Sequence, residues 1–158
     1  MTWSTILPQL QNVDISTDYA TVLLPDGVIV YIGGRAVAGV ARSDLNHTID
    51  GSSIEPRNGH SAVLTKRGDI IVYGGETSTN GTNPMQSDVL VLDTNTWEWS
   101  NPNISSINAP PPLLGHSAAI YGNYMILAFG QASSTHYNNI YILDVEHYTW
   151  VTTITSAN

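Results

Sequence analysis

The 158-residue sequence predicts an all-β chain made from a repeated unit of four short strands. Three observations carry that expectation. A segment around His-Ser-Ala recurs at a nearly constant distance from a glycine, an apolar run ending in Asp recurs at a constant distance from a Trp, and no stretch sustains a 3.6-residue apolar period.

Taken in order, the chain opens on Trp3-Ser4-Thr5-Ile6, an echo of Trp150-Val151-Thr152-Thr153-Ile154. Trp3 stands 16 residues before Tyr19, and Trp99 stands 17 before His116. Residues 1–17 are therefore expected to be the last strand of a preceding unit and a linker. The first full stretch, 18–56, holds Thr21-Val22-Leu23-Leu24 and Val28-Ile29-Val30-Tyr31-Ile32, joined across Pro25-Asp26-Gly27 and closed by Gly33-Gly34. After Gly34 it has no Trp and no apolar run ending in Asp, so it is expected to lack its fourth strand and much of its third.

The second unit, 57–109, reads His60-Ser61-Ala62, a hairpin signal at Gly68-Asp69, Ile70 to Gly74-Gly75, Val89 to Asp93, and Trp99. The third, 110–158, reads His116-Ser117-Ala118, Gly122-Asn123, Met125 to Gly130, Ile140 to Asp144, and Trp150. Tyr19, His60 and His116 precede Gly34, Gly75 and Gly130 by 15, 15 and 14 residues, and each Asp precedes its Trp by 6. Strand a of the unit follows the His, b runs into the glycines, c ends at Asp and d carries Trp. Unbroken apolar runs in b and c predict strands covered on both faces.

These residues resemble the kelch motif: a His-bearing first strand, a second ending in Gly-Gly, then Asp and Trp at fixed spacing. Asn123-Tyr124-Met125-Ile126, Phe129-Gly130 and Ile142-Leu143-Asp144 are similar in wording to the fungal kelch proteins called galactose-oxidase-like. The resemblance implies a partial kelch-type β-propeller of about three four-stranded antiparallel blades, the first truncated, around a central channel. It assigns structural roles to Gly33, Gly34, His60, Gly74, Gly75, Asp93, Trp99, His116, Gly130, Asp144 and Trp150. Physical grounds exist for each type. Glycines permit close backbone approach, Trp99 and Trp150 are suited to fill the gap between adjacent sheets, and Asp93 and Asp144 can cap the c–d turn. His60 and His116 are expected to hydrogen-bond within or between blades rather than bind a ligand. An open arc leaves apolar faces at both ends, so the chain is expected to self-associate, into a ring of two copies or irregularly, or to be a fragment of a longer protein, or to be poorly stable.

Composition narrows the function. The chain is 42% hydrophobic and 11% charged, which argues against disorder. Five basic residues against 13 acidic ones give a net charge of −8, which would repel a nucleic-acid backbone. No apolar run reaches the length of a membrane-spanning helix, and Met1-Thr2-Trp3 opens no leader-like segment. The cytoplasm is then the default compartment. Sequons at Asn46, Asn80 and Asn103 matter only in a longer, secreted precursor.

The chain has no cysteine, so it can form no disulfide, thiolate metal site or cysteine nucleophile. The galactose-oxidase resemblance would imply a copper site built on a tyrosine–cysteine cross-link, and that cannot form here. The five histidines show no His-x-His or His-Glu-x-x-His spacing, and no glycine-rich loop precedes a helix, so no metal, phosphate group or other cofactor is expected. His60-Ser61 and His116-Ser117 are neighbours in sequence, which in a strand sends their side chains to opposite faces and rules out a dyad.

What remains is surface. The b–c connections Arg35–Ser43, Glu76–Ser87 and Gln131–Asn139 are polar, and loops on a repeated scaffold commonly carry recognition. Arg35, Glu76, Asn80, Gln131, His136 and Tyr137 are the candidate partner contacts. The sequence thus reads as a non-catalytic kelch-repeat scaffold for protein–protein interaction, a fragment or half-propeller. The rival reading is the remnant of a galactose-oxidase-like or carbohydrate-acting enzyme without its catalytic residues.

Overall fold

The computed structural model describes residues 16–36, 55, 57–77, 85–86 and 88–155, and among them the chain is all-β, with no helix. In the second repeat β5 (Ser61–Leu64), β6 (Asp69–Tyr73), β7 (Val89–Asp93) and β8 (Glu98–Ser100) form one antiparallel sheet in chain order. In the third, β9 (Ser117–Tyr121), β10 (Tyr124–Ala128), β13 (Ile140–Asp144) and β14 (Thr149–Val151) do the same. The first repeat contributes the pair β2 (Ala20–Leu23) and β3 (Ile29–Ile32), with β1 (Ser16–Thr17) paired to β4 (Arg35–Ala36). These sheets are successive blades of a partial propeller. Of the segment 1–17, which the sequence reads as a strand remnant and linker, residues 1–15 lie outside the described residues, as do residues 37–54, where the first blade is expected to lose strands.

Local chemistry explains the turns. Between β5 and β6 the Thr65 hydroxyl accepts from the Asp69 amide at 3.1 Å, while the Thr65 amide donates to the Asp69 carbonyl at 2.8 Å. Gly68 closes that turn at φ +94°, a conformation that favours glycine. At the c–d turns, Asp93 Oδ1 accepts from the amides of Asn95 and Thr96 at 2.7 and 3.3 Å, and Asp144 Oδ1 from those of Glu146 and His147 at 2.9 and 3.2 Å.

The core lies between blades. Val22, Leu24 and Ile32 of the first blade meet Ile70, Val72, Leu90 and Leu92 of the second. Val63, Ile71, Tyr73, Val89 and Val91, on the other side of that second sheet, meet Leu113, Met125, Leu127, Leu143 and Trp150 of the third. Among the described residues only the middle blade is therefore covered on both faces. The sequence predicts such cover for every b and c strand, but β3 and β10 alternate less and more buried residues and β13 buries only Leu143, because among the described residues each end blade has one neighbour. Leu23, Ile29 and Tyr31 stand exposed on the leading face, and Tyr121 and Ile140 on the trailing one.

Two further expectations change. The third b–c connection, read as a polar loop, contains a small hairpin of β11 (Gln131–Ala132) and β12 (Thr135–His136), turning at Ser133 with φ +53°. Trp150 is buried and meets Tyr73 edge-on at 5.4 Å, whereas Trp99 is only half-buried against the first blade. The residue in register with Tyr73 there is Ile32, whose smaller side chain leaves Trp99 more open.

Candidate functional site

Register alignment makes the inner rim of the arc legible. Ala20–Ile32, Ser61–Tyr73 and Ser117–Ala128 are equivalent strand pairs, so Tyr19, His60 and His116 occupy one position, as do Asp18, Gly59 and Gly115. One peptide hydrogen bond joins each consecutive pair of repeats at that inner position. The Gly59 amide donates to the Asp18 carbonyl at 2.8 Å, and the Gly115 amide to the Gly59 carbonyl at 2.9 Å. All three residues are left-handed, with φ of 58°, 65° and 64°.

The glycine pairs form the second part of each junction. The amides of Gly34 and Gly75 donate to the carbonyls of Arg57 and Leu113 in the following repeat, at 2.9 and 2.8 Å. Gly33 and Gly74 lie against the same carbonyls and against the imidazoles of His60 and His116, so closely that a Cβ would not fit.

The histidines are buried by this stacking. His116 Nε2 and the Ser61 hydroxyl are 2.7 Å apart, a pair formed across repeats. The exclusion of a dyad between sequence neighbours stands, but a Ser–His contact arises from stacking instead. In the preceding junction the residue in register with Ser61 is Ala20, and neither ring nitrogen of His60 has a hydrogen-bond partner of good geometry among the described residues. Burial, with the nearby Arg57 cation second, holds the His60 pKa down at about 4. Burial holds His116 at about 4 as well. Both rings are neutral at neutral pH. Arg57 itself is 2% exposed, and its guanidinium grips the Asp88 carboxylate through two bonds of 2.9 and 3.2 Å.

Above the rim, described residues of the first and third b–c connections converge. A cleft of about 570 Å³ is lined by Arg35, Gln131, His136 and Tyr137, four of the six candidate contacts, together with Asp18, Asn58, Gly59, Leu114, Gly115 and Phe129 among others. Glu76 does not line it. Its carboxylate holds the Arg35 guanidinium, which also donates to Asn58 Oδ1 at 3.0 Å, so Arg35 is fixed at the cleft wall while half-exposed. Asn80 lies outside the described residues. The hairpin of β11 and β12 lifts His136 and Tyr137 over the cleft, and the Tyr137 amide donates to the Gly130 carbonyl at 2.9 Å. Sequence reading missed the rim residues Asp18, Asn58, Gly59, Leu114 and Gly115. Their signal was present in the recurring Gly-His dipeptides at 59–60 and 115–116.

A second cleft, about 670 Å³, lies under the connection between the second and third blades, lined by Asp88, residues 101–106, Pro110 to Pro112 and Trp150. It holds none of the candidate contacts. Among the described residues no three His, Asp or Glu side chains are grouped to hold a metal ion, and no helix is long and apolar enough to cross a membrane.

Blades stacked through glycine-pair junctions, with loops raised over a shared inner rim, define a repeat protein of the propeller class. Residues 42–158 match the family model described as the KLHDC2/KLHL20/DRC7 Kelch-repeats domain. The chain belongs to the kelch-repeat family. It is similar to Kelch domain-containing protein 3 of Rattus norvegicus, 34% identical over 105 residues, which are 65% of this chain and 26% of that protein. It is also similar to the Rho GTPase-activating protein gacHH of Dictyostelium discoideum, 33% identical over 107 residues, covering 65% of this chain and 7% of the relative. Acyl-CoA-binding domain-containing protein 5 of Arabidopsis thaliana is 27% identical over 96 residues, covering 60% of this chain and 14% of its own length. The chain thus spans about a quarter or less of these relatives.

Proposed function

We propose that the chain is a non-catalytic scaffold for protein–protein interaction and that the inner-rim cleft is its recognition surface. One observation carries the reading: Arg35 from the first repeat and Gln131, His136 and Tyr137 from the third line one cleft, although they are far apart in sequence. A rigid blade stack presenting polar, aromatic and cationic groups from separate repeats suits a folded or extended protein partner. The relatives fit this, since similar segments occur in proteins named for GTPase activation and for acyl-CoA binding. The likeness of residues 123–130 and 142–144 to galactose-oxidase-like proteins we read as ancestry rather than activity.

The test is affinity capture with the wild-type chain, Tyr137→Ala, Arg35→Ala and, as a control away from the rim, Glu98→Ala, followed by identification of bound proteins. A partner retained by wild type and Glu98→Ala but lost from both rim variants is the expected result. Partners that bind all four chains equally would refute the cleft as the surface.

A further inference from the structure

Both described junctions depend on a residue without a Cβ. At Gly74, with φ +71°, an added Cβ would lie 2.5 Å from the Leu113 carbonyl oxygen and 2.9 Å from His116 Cε1. At Gly33, with φ +60°, it would strike the Arg57 carbonyl oxygen and lie 2.7 Å from His60 Cε1. Those carbonyls are the ones that accept from Gly34 and Gly75, so a Cβ and the junction hydrogen bond compete for one place. The register shared by β3, β6 and β10 puts Phe129 in this position in the third repeat. Its backbone keeps the glycine-like conformation at φ +65°, followed by Gly130 at +91°, and the residue is 58% exposed.

We infer that Phe129 bars the trailing face of the third blade from receiving another blade in the repeat geometry, and bars a second copy of this chain in particular. Head-to-tail association would set Phe129 of one copy against the Ser16 carbonyl and Tyr19 of the next, since these are in register with Arg57 and His60. The obstruction is at Cβ and does not depend on the ring. Among the described residues the leading face, by contrast, has no such obstruction: Tyr19, Leu23, Ile29 and Tyr31 are exposed there, and the matching blade would need two glycines at the end of its b strand. The two open ends of the arc are therefore both apolar yet not complementary. The ring of two copies expected from the sequence is opposed by one residue.

The experiment compares the wild-type chain with Phe129→Gly and Phe129→Ala by sedimentation from about 10 µM to about 500 µM. Alanine removes the ring but keeps the Cβ; glycine removes both and suits the left-handed backbone. Phe129→Gly should gain self-association at least about tenfold tighter than wild type, which adding Tyr31→Lys on the opposite end should abolish. Phe129→Ala should behave as wild type. The inference is overturned if Phe129→Gly associates no more than wild type, if Phe129→Ala matches it, or if wild type already forms oligomers that Tyr31→Lys dissolves. Independently of how Phe129→Gly folds, Gly33→Ala places a Cβ in a junction that does form. It should speed tryptic cleavage after Arg35 at least about tenfold, and unchanged cleavage would also sink the inference.

Discussion

Lowering the pH should weaken this fold through two residues. His60 and His116 are held at about 4, against 6.5 for a free imidazole. The unfolded chain therefore takes up protons in a range where the folded chain does not. The stability from keeping these rings neutral is complete above about pH 6.5 and drains away as the pH falls toward the folded value. Linkage with those values gives a loss of about 2 kcal/mol per histidine between about pH 7.5 and about pH 5, or about 4 kcal/mol for both. Against the 5–15 kcal/mol of a typical domain, roughly a quarter or more of the stability would go.

Other groups act in different windows. The pKa values of Asp93 and Asp144 are lowered, so their contribution is present above the ordinary carboxylate range and is lost only at more acidic pH. His147 is raised by its hydrogen bond to Asp144, so it favours the fold below pH 6.5 and works weakly against the trend from its exposed position. Urea titrations at the two pH values on wild type, His60→Gln, His116→Gln and the double variant isolate the effect. Wild type should lose about 4 kcal/mol, each single variant about 2, and the double variant less than about 0.5. A double variant that keeps the wild-type loss, or a wild-type loss below about 1 kcal/mol, would refute the assignment to these rings.

Trp150→Ala should cost about 3–5 kcal/mol and half-buried Trp99→Ala about half of that, read as midpoint shifts in urea; equal costs would contradict the difference in their burial. Gly74→Ala forces a Cβ into the Leu113 carbonyl at positive φ and should destabilise by at least about 2 kcal/mol, whereas Gly122→Ala, which meets nothing within contact distance, should cost about 1 kcal/mol by the same thermal or urea melt. Ser61→Ala removes the one hydroxyl on His116 Nε2 and should cost about 1–3 kcal/mol; an NMR titration of the imidazole should show that His116 remains neutral at pH 7.

The fold class was legible because it rests on local periodicity: short apolar runs, turn residues between them, and spacings kept within one residue of each other. What the chain could not display locally was the stacking. The run from Ile70 to Tyr73 and the run from Met125 to Ala128 look alike in sequence. Only the number of neighbouring sheets decides that the first is covered on both faces and the second on one. Ser61 and His116 are 55 residues apart, so no spacing rule within a repeat could couple them. The rim cleft was legible in part, as polar loops of a repeated scaffold, while Asp18 and the two Gly-His steps belong to it through their backbone conformation. Glu76 shows the converse, a charged loop residue turned inward by its ion pair with Arg35.

The peptide hydrogen bond that joins each repeat to the next at the rim gives every junction its own clock. The Gly59 amide can exchange its hydrogen only when the first and second blades part, and the Gly115 amide only when the second and third do. The first of these junctions has a half-buried Trp99 and an imidazole without a serine; the second has Trp150 against Tyr73 and the Ser61–His116 bond. Opening should therefore begin at the front of the arc and travel backward, with Gly59 losing its protection before Gly115. A stack of near-identical units acquires a direction in this way, and the third blade becomes the last part of the molecule to let go.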